Sequence, residues 1–365
     1  MAENPYDDLV KRLNQFPSGA PDKPELREIL KILFTEEEAR LGAILSLQPF
    51  REPVDLIAER VGKDKEEVEK MLDEMAEKGL VYVAPKKGKK CYALLPMVPG
   101  IFELQFMKGG TSEKEKKLAK LFNDYYMSGW GKEGWSFKVP FARAIPIQEH
   151  IPSNATIQPY DQVKHLIENA TDMALSYCFC RHEHELLDKS CGRPKDVCML
   201  FGPFVEYAVS HGFAWRATKE EMLNALERAE EAGLIHVSDN IQERINFICN
   251  CCGCCCGILG TITKLGIKDG VARSSFILKI DRDACNNCGA CAKRCTMGAL
   301  SVEGKGKEKK LIFDETICLG CGVCIRACKK RQALRLVERP DPNVPKKTFL
   351  ELGYSMIAGM QRPQE

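Results

Sequence analysis

Eight cysteines fall in two copies of one spacing. The first, CNNCGACAKRC, carries Cys285, Cys288, Cys291 and Cys295; the second, CLGCGVCIRAC, carries Cys318, Cys321, Cys324 and Cys328. Each cysteine of the first copy recurs 33 residues later in the second. A C-x2-C-x2-C-x3-C run presents thiolates at a spacing that iron–sulfur cubes take, and the chemistry it predicts is one-electron transfer. Zinc sites use pairs of cysteines separated by longer loops, so zinc is the weaker reading. Gly289, Gly320 and Gly322 lie inside the runs, where a loop wrapped about a cube needs turns that a side chain obstructs.

With these motifs, residues 275–340 resemble the bacterial-type two-[4Fe–4S] ferredoxin domain. In that family three cysteines of a run hold one cube and the fourth ligates the other. The resemblance implies Cys285, Cys288, Cys291 and Cys328 on one cluster, and Cys318, Cys321, Cys324 and Cys295 on the other. It also implies short strands at ALSV and ALRLV, which follow the two runs. Two departures stand out: Thr296 and Lys329 occupy places where the family usually has Pro, and the second half has one extra residue before its Ala-Leu. Neither removes a ligand. From Lys279 to Arg339 there are fourteen Lys plus Arg against seven Asp plus Glu. Lys293, Arg294, Arg326, Lys329, Lys330 and Arg331 are expected to favour reduction of an anionic cube and to steer an acidic partner, or else to form a solvated face.

A second cysteine field lies upstream. CNCCGCCC holds Cys249, Cys251, Cys252, Cys254, Cys255 and Cys256, and before it come Cys178, Cys180, Cys191 and Cys198. The opening MAENPYDDLV has no apolar leader core, and a reducing cytosol keeps thiols free. Adjacent cysteines also cannot all find unstrained disulfide partners. A single zinc site uses four of the ten. One or two further Fe–S clusters are therefore expected, with Cys178, Cys180, Cys191 and Cys198 as one possible set and the CNCCGCCC loop supplying a second or mixing with the first. His182 and His184 flank Arg181 beside this field and are read as hydrogen-bonding or solvent-facing rather than ligating.

CFCR at 178–181, Cys191, Cys198 and ICNCCGCCCG at 248–257 resemble a group of anaerobe iron–sulfur proteins that join such segments to a C-terminal two-cluster ferredoxin domain. Phe179 stands where that group often has Pro. The resemblance covers residues 140–340 and implies cluster binding and electron transfer, with no substrate.

The elements that position these residues are legible in part. Pro24 opens a helix ending near Phe34, and Thr35-x-x-Glu38 is a capping box that starts the next. Pro53 is expected in the first turn of a third helix. DKEEVEKMLDEMAEKGL puts Val68, Met71, Leu72 and Met75 on one face, with Gly79 as its stop. VYVA and CYALL form a hairpin around PKKGKK. Residues 24–96 thus read as winged-helix-like. DNA binding needs cations facing phosphate, yet Lys63 to Lys78 carries four Lys against seven acids; only the tip (Lys86, Lys87, Lys89, Lys90) is basic. Protein docking is the preferred role, and Cys91 is read as a small buried residue. Ser112-x-x-Glu115 caps a helix burying Leu118, Leu121, Phe122 and Tyr125, while Trp130 and Trp135 are expected in a core. Residues 155–180 read as helix then strand, and Thr218-x-x-Glu221 caps a helix ending at Gly233. The tail carries Phe349, Leu350, Met356, Ile357 and Met360, to pack on the body or on a partner.

The 365 residues bear a formal charge of +2, which argues neither for nor against nucleic acid. No apolar run is long enough to span a membrane. No Rossmann, P-loop or nucleophile-elbow motif occurs, and no catalytic residue is assigned. The fold expected is α+β: a winged-helix-like docking domain at 1–96, a connector and mixed α/β Cys-rich cluster-binding domain at 97–274, a two-[4Fe–4S] ferredoxin domain at 275–340 and a tail at 341–365. The function expected is a cytoplasmic multi-cluster electron relay in anaerobic metabolism, with a ferredoxin-like donor or an oxidoreductase subunit as partner. Two alternatives stay open: a reductase using a cluster or reactive thiols of the middle region, and a winged-helix redox-sensing regulator.

Overall fold

A computed structural model describes residues 4–134, 138–153 and 155–359. It separates into two units: Met1–Trp135 with Phe179–Ser190 and Glu206–Trp215, and Ser136–Cys178 with Cys191–Val205 and Arg216–Glu365. Helix and strand both contribute, as an α+β chain requires.

In the first unit, helices Pro5–Asn14, Pro24–Leu33, Glu36–Ile44, Val54–Val61 and Lys65–Glu77 precede a hairpin of Val81–Lys86 and Lys89–Leu94. The short strand Glu52–Pro53 pairs on the open side of Lys89–Leu94, giving three strands. The Thr35 box forms: the Glu38 amide donates to Thr35 Oγ1 at 3.2 Å, and the Thr35 amide donates to Glu38 Oε2 at 2.8 Å. Pro53 sits one place earlier than expected. It is the extended N-cap residue (φ −65°, ψ 147°), because it also pairs as a strand residue, and the helix begins at Val54. Val68, Leu72 and Met75 are buried on one face of Lys65–Glu77, with Met71 at its half-buried margin. Cys91 is buried on its strand.

The remaining core of this unit is aromatic. Helix Glu113–Tyr125, boxed by Ser112 and Glu115, buries Leu118, Phe122 and Tyr125, with Leu121 half-buried. Trp130 stacks on Tyr125 with ring centroids 5.0 Å apart; Trp135 lies outside the described residues. Helix Phe179–Leu186 joins this core through Phe179, 5.5 Å from Phe102.

The second unit is built on an antiparallel sheet. Its five longer strands run in the spatial order Ala142–Ile145, Ile235–Asp239, Phe247–Cys251, Cys198–Phe201, Met173–Ser176. The helix boxed by Thr218 and Glu221, Lys219–Glu231, feeds the second of these. Two strand pairs follow: Phe276–Ile280 with Leu334–Glu338, and Leu300–Glu303 with Lys310–Phe313. Strands thus follow both cysteine runs where expected, and Leu278, Leu300, Leu311 and Leu334 pack with Cys291, Cys318 and Cys324 in one core.

Segment 271–276 ties these pairs to the sheet. The Ala144 amide donates to the Ala272 carbonyl and the Ala272 amide to Ala142, both at 2.9 Å. Beside them Arg143 and Asp161, both buried, pair at 2.5 Å, and Ser275 Oγ donates to Asp161 Oδ2 at 2.6 Å. At the end of the chain, helix Phe349–Ala358 buries Leu352 and Met356 and exposes Leu350 and Ile357; Met360 lies outside the described residues. No helix among the described residues is long and apolar enough to cross a membrane.

Candidate metal centres

All nineteen cysteines carry free thiols. Those of the two runs gather in two places. An open cavity of about 540 Å³ is lined by Cys285, Cys288, Cys291 and Cys328. A narrower one is lined by Cys295, Cys318, Cys321 and Cys324. The crossing arises because each run turns into a short helical segment, Ala290–Arg294 and Ile325–Cys328, that carries its last cysteine away from the other three.

The loops are held by backbone chemistry. Gly289, Gly320 and Gly322 all take positive φ, 75°, 71° and 78°, as the tight wrap requires. At Gly320 a Cβ would also lie 1.9 Å from the Phe276 carbonyl oxygen. Ser274 Oγ donates to the Gly320 carbonyl at 2.9 Å, and Arg339 donates to the Cys318 carbonyl at 2.8 Å. Burial pushes the Cys321 thiol up to about 12, and it raises Cys318, Cys324 and Cys291 as well. Such thiols stay protonated when free, and a bound cation displaces the proton. Four convergent sulfurs in a pocket of this kind fit a soft, thiolate-liking metal group.

The upstream field also gathers, in a pattern the spacing does not reveal. Sulfurs of Cys191, Cys252, Cys254 and Cys255 all lie within 4.8 Å of one another. Cys255 Sγ is 3.8 Å from Cys254 Sγ. A separate chain of thiol contacts links Cys178 to Cys198, Cys198 to Cys249, Cys249 to Cys251 and Cys251 to Cys256. Hydrogen bonds from Cys198 and Cys251 hold Cys249 down at about 6, while Cys198 is pushed up by its contact with Cys178 and then with Cys249, and Cys251 by its contacts with Cys249 and Cys256. Sheet register explains this second group. Ser176 pairs with Cys198, and Met199 pairs with Ile248, so Cys178, just past the end of its strand, and Cys198, at the start of the next, come beside the middle of the strand that carries Cys249. Cys249 and Cys251 share a face of their strand by the period of two.

The expected set Cys178, Cys180, Cys191 and Cys198 is therefore divided. Cys191 joins the loop, Cys178 and Cys198 join Cys249, and Cys180 belongs to the first unit on helix Phe179–Leu186. His182 Nε2 is 2.8 Å from the Gly110 carbonyl and His184 Nδ1 is 3.0 Å from that of Cys180. Both imidazoles donate to carbonyls.

Sequence reasoning missed Arg193 and Gly253, and it named Arg294 for its charge without its partners. Arg193 places Nη1 3.7 Å from Cys254 Sγ and donates from Nε to the Ala232 carbonyl at 3.3 Å. Arg294 donates to the carbonyls of Glu230 at 2.6 Å and Glu231 at 3.0 Å. Both cations thus sit at the negative end of helix Lys219–Glu231, where the macrodipole favours them. Gly253, between Cys252 and Cys254, abuts the residue after Cys295: a Cβ there would lie 2.1 Å from the Thr296 carbonyl oxygen. A cation two places from Cys191 was the available signal for Arg193; nothing in the sequence signals the Gly253 contact.

Residues 284–332, which include all eight cysteines of the two runs, match the 4Fe-4S dicluster domain family. The chain therefore carries a 4Fe–4S dicluster domain, and electron transfer is the chemistry that domain supports. Ferredoxin-3 from Nostoc sp. (strain PCC 7120 / SAG 25.82 / UTEX 2576) is similar, 26% identical over 87 residues, which cover 90% of that protein and 20% of this chain. No solved structure matches.

Proposed function

We propose that the protein is a multi-cluster iron–sulfur relay of anaerobic metabolism, passing single electrons to or from a partner oxidoreductase. Cys285, Cys288, Cys291 and Cys328 hold one [4Fe–4S] cluster, and Cys295, Cys318, Cys321 and Cys324 hold the second. Cys191, Cys252, Cys254 and Cys255 hold a third. The group Cys178, Cys198, Cys249, Cys251 and Cys256 supplies ligands for a fourth. When bound, such clusters take up and release one electron at a time.

The observation that carries this reading is the convergence of four thiols within 4.8 Å outside the dicluster domain, on a loop whose Gly253 touches the segment after Cys295. The residues themselves do three things. Cysteine sulfurs grip the iron. Arg193 adds positive charge beside Cys254, which favours the reduced state. Arg294 fixes the spacing by joining the dicluster domain to helix Lys219–Glu231.

The N-terminal helices and hairpin are read as a winged-helix-like docking domain for protein. Two of its basic tip residues are already neutralised, Lys89 by Asp55 at 3.2 Å and Lys90 by Asp73 at 2.6 Å, which argues against phosphate binding. Free thiols throughout support a cytoplasmic setting. One observation favours a second reading, a reductase: Cys254 is exposed beside a cation. Cys254→Ser separates them. A relay keeps passing electrons from a reduced donor to an artificial acceptor with its remaining clusters, whereas a reductase loses substrate turnover while its other clusters stay reducible.

A further inference from the structure

We propose that the rim of the open cavity around Cys285, Cys288, Cys291 and Cys328 is the docking surface for an acidic one-electron carrier protein. The inference rests on the relay reading above and adds where the external electron crosses and what kind of partner delivers it.

The two cysteine sets of the dicluster domain differ in access. In the first set Cys288 is exposed, Cys285 and Cys328 are half-buried and Cys291 is buried; in the second, Cys295 and Cys321 are half-buried, Cys318 and Cys324 are buried, and none is exposed. The first set lines the larger opening. Its lining includes Arg326, Lys329, Lys330 and Arg331 and no acidic residue. Arg326 is taken by Glu230 at 2.6 Å and Glu149 at 3.4 Å. Lys329, Lys330 and Arg331 are exposed, and among the described residues no carboxylate lies within ion-pair distance of any of them.

Three consecutive cations at one mouth repel one another, and that cost is relieved when negative charge approaches. Their exposure decides the class of occupant. A small anion is held by buried, convergent donors, whereas flexible cations spread over a rim match a protein surface bearing several carboxylates. In the exchange the carrier is oxidised by one electron and this protein is reduced by one. No bond forms or breaks, and no proton is required.

The test is stopped-flow reduction of the anaerobically prepared holoprotein by a reduced, acidic plant-type ferredoxin as probe. The second-order rate constant is expected to fall tenfold or more between about 10 and 300 mM salt, as steered association does. The triple variant Lys329→Glu, Lys330→Glu, Arg331→Glu is expected to lose about tenfold at low salt and to reverse the salt dependence. Its reduction by methyl viologen radical cation is expected to stay as fast or become faster. Among the described residues none of the three side chains makes an ion pair or hydrogen bond, so the variant should keep its iron. The salt series on the unaltered protein stands even if it does not. A salt-independent rate, or an unchanged rate in the triple variant, overturns the proposal. So does a rim at which inorganic phosphate protects the cavity while the ferredoxin rate is unaffected by the variant. These outcomes with iron present overturn the port alone; a protein that binds no iron in the dicluster domain overturns the relay reading itself.

Discussion

Replacing Arg143 by Met should destabilise the second unit far more than a typical surface change. Arg143 is 1% exposed and Asp161 is fully buried. Their contact is 2.5 Å, and Arg143 also donates to the Tyr160 carbonyl at 2.7 Å. Methionine leaves the Asp161 carboxylate with the Ser275 hydroxyl as its remaining side-chain partner among the described residues. An uncompensated buried charge costs about 3–5 kcal/mol. At roughly 2–4 °C per kcal/mol for a domain of this size, the loss is about 10 °C in Tm. Since Ser275 adjoins the Ser274 that holds Gly320, the second cysteine set should also release its iron faster to a chelator. The assay is an anaerobic melt followed by fluorescence and by visible absorbance, on the single variant and on Arg143→Met with Asp161→Asn. The double variant removes the orphaned charge and should recover much of the loss. A single variant within about 1 kcal/mol of the parent, or a double variant no better than the single, refutes the reasoning.

Gly320→Ala forces a Cβ against the Phe276 carbonyl oxygen at 1.9 Å; iron analysis should show a loss of about four irons, with the EPR signal of the other dicluster site retained. Cys191→Ser and Cys198→Ser fall in different thiol groups, so each should lower the iron content by about four and the double variant by about eight; equal losses in the single and double variants would show one shared site. Burial alone would raise the Glu230 carboxyl, but the nearby His236 imidazole, its Nε2 3.4 Å away, and then the attraction of Arg326 hold it below its ordinary value. Its contribution is therefore present above the unfolded carboxylate value of about 4.3 and lost as pH falls through the lower folded one. The stability gap between the parent and Glu230→Gln, measured by chemical denaturation, should shrink as pH drops from about 5 to about 3; a gap that widens on acidification contradicts this.

How much was legible follows from what is local. Capping boxes at Thr35, Ser112 and Thr218 depend on residues three apart, and each formed as read. The strands after the cysteine runs were visible for the same reason. Pro53 was misplaced by one because its pairing with Cys91 across the sheet has no local signature. The partition of the upstream cysteines was not legible at all. It is set by strand register, which brings Cys178 and Cys198 beside Cys249 on the neighbouring strand, and by a loop that returns Cys252, Cys254 and Cys255 to Cys191. Both are long-range pairings on which spacing along the chain is silent.

Iron, zinc and acid-labile sulfide per chain, measured on anaerobically purified protein, test the central claim most directly. Thiol groups both within and upstream of the dicluster domain predict about sixteen irons, a matching amount of sulfide and no stoichiometric zinc. A value of about eight irons or fewer, or zinc in place of iron, would contradict it.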